Sequence, residues 1–158
     1  MENPVHMATF KALGANPTPI SFGELYTALQ QGTVDAQENP IALVYTSKFY
    51  EVQKYYTLDG HVYAATAVLI NNDFFNKLPS DLQKVVVEGT EKYREEQRKL
   101  SSKQDVEMLE ALKKANMKVN ELTDVQKQKF IQATLPVYDQ FKDVLGADLI
   151  ELAKQANK

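Results

Sequence analysis

The 158-residue chain has no cysteine and only two histidines. Without cysteine there is no disulfide, no thiolate metal ligand and no cysteine nucleophile. The compartment stays open, because exported proteins can also lack the residue. His6 and His61 stand alone, without the His-x-x-x-His or Glu-x-x-His spacing that puts two ligands on one helix face. There is no Gly-x-Ser-x-Gly elbow and no glycine-rich phosphate loop. The 21 acidic residues guarantee chance pairs such as Glu95-Glu96, which read as solvated helix surface. With no set of nucleophile, base and oxyanion donor in view, no enzyme, no cofactor and no metal site is expected. Apolar runs are short: Ala64 to Ile70, interrupted by Thr66, is strand-sized and far below the ~18 residues of a membrane span. A net charge of -3 and a pI near 5.4 offer no basic footprint for a nucleic-acid partner, for which a domain pI above about 9 is usual. Met1-Glu2-Asn3-Pro4 has neither a basic n-region nor an apolar h-region, so no signal peptide is expected within this chain.

What is present is an ordinary globular mixture, 44% hydrophobic and 25% charged, of a size that fits one domain. Prolines and turn residues crowd the first half, while 80–158 is rich in helix formers. A helix is expected over Val5–Leu13, stopped by Gly14. Ser21 and Glu24 have capping-box spacing before a second helix to Gln31, with Leu25, Ala28 and Leu29 inward and Gly32 as its stop. Val34–Gln37 reads as a brief strand, and Pro40 as the opening of a helix with Ile41, Val44 and Tyr45 inward. Tyr55–Leu58 and His61–Ile70 read as extended runs separated by the turn pair Asp59-Gly60, and Asn71–Asp73 as caps for a short helix. From Ser80, a second capping-box start, the pattern predicts a helix of about 35 residues with an apolar stripe at each end (Leu82, Val85, Val86, Gly89, Tyr93; then Val106, Leu109, Leu112) and a polar middle at 94–99. A helix built that way bridges two bodies. Met117–Asn120 reads as a short strand. Thr123-Asp124-Val125-Gln126 is a third capping box, opening helical sequence broken near Pro136 and Gly146.

Asp35, Gln37, Glu38 and Asn39 form a polar cluster between an expected strand and a proline-led helix, where α/β proteins place ligand groups. Asn39 also suits the helix cap, and the two roles can coexist. Phe22, just inside a helix start, fits a core or a pocket wall. His61 and Tyr63 alternate along one face of their run.

The stretch Ala12-Leu13-Gly14-Ala15-Asn16-Pro17-Thr18-Pro19-Ile20-Ser21-Phe22-Gly23-Glu24, continued through Gln31-Gly32-Thr33-Val34-Asp35-Ala36-Gln37-Glu38-Asn39-Pro40, closely resembles the signature of DctP-type solute-binding subunits of tripartite ATP-independent periplasmic (TRAP) transporters. Lys48–Lys54, His61 and Leu78-Pro79-Ser80-Asp81-Leu82-Gln83-Lys84-Val85-Val86 continue it in order. The resemblance implies a helix-rich α/β chain, the C-terminal half of a two-lobed periplasmic-binding-protein fold (type II-like) with a long lobe-bridging helix. Residues 1–64 and 105–158 would then be second-lobe segments, and 65–104 would pack in a first lobe whose main sequence is absent. It also implies capture of an organic acid, by default a C4-dicarboxylate, in the periplasm, with the membrane subunits of a TRAP transporter as partners. Asn39 matches the asparagine that contacts the ligand carboxylate, Phe22 an aromatic lining the pocket, and His61 lies in a strand bordering the cleft. Tyr63 and Glu38, next to these, complete the candidate set. The family's bidentate arginine should fall immediately before Met1. Its loss would leave the chain alone weak in binding. It would also expose apolar surface along 64–70 and 74–86, which favours a homo-oligomer through the long helix Ser80 to Ala115. Ala36 departs from the family's usual glycine and would strain the loop if that position needs a positive φ.

Overall fold

The computed structural model describes residues 2–156. Helices dominate, and their ends follow from local chemistry. Helix α1 (Pro4–Ala12) starts where the Asn3 side chain accepts from the amides of Val5 and His6, at 2.9 and 3.1 Å. Helix α2 (Phe22–Gln30) closes with Gly32 at φ +70° and the Thr33 amide donating to the Ala28 carbonyl at 2.9 Å. A β-carbon at that φ would be strained, so glycine is the residue that lets the chain leave the helix there. Helix α3 (Ile41–Thr46) follows Pro40. A single 3-10 turn occupies Phe49–Glu51, entered through Lys48 in the left-handed region at φ +57°. Helix α4 (Asn72–Lys77) is capped by Asn71, which accepts from the Phe74 amide at 2.9 Å.

Helix α5 runs over Ser80–Lys114, 35 residues, a rod of about 52 Å. It matches the long helix expected from the two stripes. After it come α6 (Asp124–Gln140), α7 (Lys142–Leu145) and α8 (Ala147–Ala156). The Thr123 capping box forms in full: the Gln126 amide donates to Thr123 Oγ1 at 3.3 Å and the Thr123 amide donates to Gln126 Oε1 at 2.8 Å.

The other two boxes do not form. Ser21 makes no side-chain cap bond, and the turn closes through the Glu24 amide to the Ser21 carbonyl at 3.0 Å. An exposed hydroxyl has water as an equal partner, so the backbone suffices. At α5, extended Pro79 takes the cap position, which makes Ser80 the first helical residue. Gln83 Nε2 instead donates to the Leu78 carbonyl at 2.9 Å. Pro136 does not break α6. It removes one ladder bond deep inside the helix, a cost of about 3 kcal/mol, but Val137 beside it is buried and α1 packs along α6. The break comes at Phe141, and again at Gly146 with φ +86°.

Two expected strands are likewise absent: 34–37 and 61–70 carry no strand. Extended, β-branched sequence becomes a strand only when a neighbour completes the ladder. Among the described residues the one sheet pairs β1 (Tyr55–Leu58) with β2 (Lys118–Glu121). The Lys118 amide donates to the Lys54 carbonyl at 2.9 Å, and Asn120 Nδ2 donates to Thr57 Oγ1 at 3.2 Å. Positions rise together on both strands, the register of a parallel pair.

The described residues divide into two compact units. One runs to Gln37 and takes in Tyr56–Asp59 and the chain from Val119 onward, with Leu29 and Val137 buried. The other comprises Glu38–Tyr55 and Gly60–Lys118. In it α3 packs on α5, and Val44, Phe49, Leu112 and Met117 are buried. Tyr45, expected inward with Val44, instead lies at the surface, stacked on Tyr50 with ring centroids 5.9 Å apart.

Candidate functional site

The second unit opens with the polar residues singled out in the sequence. Glu38 and Asn39 are both half-buried and immediately precede Pro40 and α3. Asn39 is not the helix cap, because Pro40 holds that position. That removes one of its two readings without assigning the other. The turn at Gly60, φ +64°, carries the chain back so that His61 Nε2 lies 3.4 Å from Glu38 Oε2. Both side chains are about three-quarters covered, 24% and 28% exposed. The contact is an ion pair only when the imidazole is protonated.

Tyr63 is not drawn in: it is 92% exposed. His61 and Tyr63 share no strand face, since 61–70 is irregular. Phe22 is the first residue of α2, half-exposed, and belongs to the first unit, whereas Glu38, Asn39, His61 and Tyr63 belong to the second. Ala36 shows no positive φ: among the described non-glycine residues only Lys48 and Asn116 do. The strain foreseen at that position therefore does not arise. No group of three His, Asp or Glu among the described residues is placed to hold a metal ion, and no described helix is long and apolar enough to cross a membrane. Sequence reading missed the stacked Tyr45 and Tyr50. Their spacing of five spans the end of α3 and the left-handed turn at Lys48, which no helical or strand period relates.

Residues 1–143 match the family model of bacterial extracellular solute-binding proteins, family 7, DctP. The chain belongs to that family. It is 39% identical over 152 residues to the 2,3-diketo-L-gulonate-binding periplasmic protein YiaO of Escherichia coli, an alignment covering 94% of this chain and 46% of that protein. Among solved structures it resembles a TRAP periplasmic solute-binding protein from Ochrobactrum anthropi whose C-terminus is bound in the ligand-binding pocket. There the TM-score is 0.87 at 42% identity, with 96% of this chain and 47% of that one covered. A TRAP solute-binding protein from Sulfurospirillum deleyianum with bound succinate gives a TM-score of 0.85 at 38% identity, covering 98% of this chain and 51% of that one. The DctP-family chain thus spans about half the length of the relatives it matches, with the helix-rich α/β fold of TRAP solute-binding proteins over that half.

Proposed function

We propose that this DctP-family chain contributes to an extracytoplasmic, periplasmic solute-binding protein that captures the carboxylate of an organic acid, C4-dicarboxylate-like, and passes it to the membrane subunits of a TRAP transporter. The reading places no catalysis on the chain. Its main support is the family match over 1–143 together with the polar group at the head of α3, where Asn39 adjoins the Glu38–His61 contact. In this reading the Asn39 amide and a His61 ring N–H donate to the ligand carboxylate. Tyr63 stands at the rim and Glu38 orients the imidazole, while Phe22, which belongs to the first unit, is a proposed ligand contact on the family resemblance alone. The relatives named above fit this class: one is named for a sugar acid, and another holds succinate.

A neutral amide and an imidazole are a weak anchor for an anion. A charge-assisted hydrogen bond contributes about 1.5–3 kcal/mol, and an ordinary one about 0.5–1.5 kcal/mol. Both arginines of this chain, Arg94 and Arg98, lie on the exposed middle of α5. The 158 residues alone are therefore proposed to bind organic acids weakly or not at all. Isothermal titration with succinate and with a monocarboxylic acid, on this chain and on one extended at its N-terminus toward the length of its relatives, tests this. The expectation is binding in the extended chain, weakened about tenfold by Asn39→Ala. No binding in the extended chain, or an Asn39→Ala variant that binds as well as the parent, refutes it. Turnover of any acid would restore the enzyme class.

A further inference from the structure

We infer that capture of the organic acid is coupled to uptake of one proton by His61, so that the site holds acids more tightly below neutral pH than above it. This regulation rests on the function proposed above, in which a His61 ring N–H donates to the ligand carboxylate. The donor count of the ring requires it. His61 Nε2 lies 3.4 Å from Glu38 Oε2, and both side chains are about three-quarters covered. A carboxylate offers only acceptors, and a neutral imidazole has one N–H and one lone pair. If Nε2 carries the proton toward Glu38, Nδ1 turns a lone pair to any second acceptor, and a ligand carboxylate is such an acceptor. With the proton on Nδ1 instead, the lone pair of Nε2 faces Glu38. Only the imidazolium donates from both nitrogens and satisfies Glu38 and the ligand together.

The surroundings of the pair act in the same direction. Among the described residues no lysine or arginine forms an ion pair with Glu38. Asp35 and Asp59, close to the pair along the chain, are acids, and a nearby acid favours the charged form of an imidazole. Helix α3, which Asn39 and Pro40 lead into, carries no charged residue. On α5, which packs against α3, Lys113 pairs with Glu110 at 3.0 Å. Tyr63, just beyond His61, is 92% exposed. At 3.4 Å the Glu38–His61 contact is longer than the roughly 2.7–2.9 Å of a charge-assisted pair, so it has room to shorten once the ring is charged. The ring is 24% exposed, and the proton that joins its second nitrogen comes from solvent. By linkage, a ligand that prefers the protonated ring makes the ring hold its proton more firmly to the same degree. Affinity is therefore full where the free ring is already protonated, and it falls as pH rises through the range in which the bound ring gives the proton up.

The test is titration calorimetry of succinate into a chain extended at its N-terminus toward the length of its relatives, in two buffers of different ionisation enthalpy. The wild type should bind about fivefold tighter near about pH 6.5 than near about pH 8.5, a window that spans the ordinary imidazole range. Succinate stays almost wholly a dianion across that window, and the buffer dependence of the heat should show proton uptake. His61→Gln, which keeps an amide donor but no titratable ring, should bind equally at both pH values without proton uptake. Glu38→Gln can turn its amide NH2 toward the ring's lone pair, so a neutral ring suffices and the pH dependence should shrink. If His61→Gln fails to bind, the His61 ring signal in proton NMR of the wild type reports instead: its titration midpoint should rise by about one pH unit with succinate bound. An unmoved midpoint, a wild-type difference below about twofold, or a pH dependence that persists in His61→Gln overturns the inference while the proposed function stands. No binding at either pH removes both.

Discussion

Replacing Leu112 by alanine tests what anchors the long helix. Leu112 is fully covered, as is Val44 of α3, and Phe49 is 1% exposed; with Met117 they are the buried apolar residues of the second unit. Leu→Ala removes three carbons, about 2.4 kcal/mol at roughly 0.8 kcal/mol per buried methylene. The cavity left behind brings the expected cost to about 3–4 kcal/mol. That is a large share of the 5–15 kcal/mol typical of a whole domain. Val106, on the same helix less than two turns away, is 66% exposed, so Val106→Ala should cost no more than about 0.5 kcal/mol. Urea unfolding followed by circular dichroism, both variants in parallel, gives the difference from the midpoints at common slope. A Leu112→Ala cost below about 1 kcal/mol, or one equal to that of Val106→Ala, would refute the view that α5 is held at its C-terminal end by α3.

Other variants probe the local devices. Thr123→Ala removes a formed capping box and should destabilise by about 1 kcal/mol, while Ser21→Ala, which removes no cap bond, should shift the urea midpoint by much less; equal shifts would contradict the assignment. Lys48 sits at φ +57°, a conformation that costs an L-residue about 1–2 kcal/mol. Lys48→Gly should therefore raise the unfolding midpoint, and a lowered midpoint would show that the lysine side chain outweighs the strain.

Helix existence was legible because it depends on short-range periodicity and caps. The 35-residue α5, β1, β2 and the Thr123 box all stand where the pattern put them, to within a residue or two. What failed depended on partners. His61–Ile70 has strand chemistry, yet β1 pairs with β2, some 60 residues away in sequence, and the run stays irregular. Val34–Gln37 failed for a different reason: the chain is still turning out of α2 there, with Val34 and Asp35 in bends. Pro136 misled because its local penalty is a property of the isolated helix, whereas α6 is held by α1. The candidate site was legible only as residue types. Nothing in the spacing of Glu38 and His61 says that a turn at Gly60 brings them together, and nothing in the alternation of His61 and Tyr63 says that they part. The lobe boundaries implied by the resemblance, 1–64 with 105–158 against 65–104, are a separate matter. The two compact units arise from contacts within these 158 residues, and the implied lobe boundaries stand as a proposal.

The Glu38–His61 contact has an electrostatic consequence for anion capture. In the proposed function, a ligand carboxylate seated on Asn39 would lie beside the carboxylate of its chain neighbour Glu38. Two like charges about 4 Å apart repel by about 1 kcal/mol in water and about 4 kcal/mol near a protein surface. A neutral hydrogen bond from Asn39, about 0.5–1.5 kcal/mol, does not offset the larger figure. His61 brings a positive charge beside Glu38 only on protonation, and a partly exposed pair of this kind contributes about 0–1 kcal/mol. Repulsion of the ligand therefore outweighs the benefit of holding the imidazole. Glu38→Gln keeps an oxygen able to accept from His61 while removing the charge. In a chain extended to the length of its relatives it should tighten succinate binding by up to about tenfold, read by titration calorimetry. Weaker binding by the glutamine variant would mean that Glu38 serves the ligand chiefly through the cation it holds.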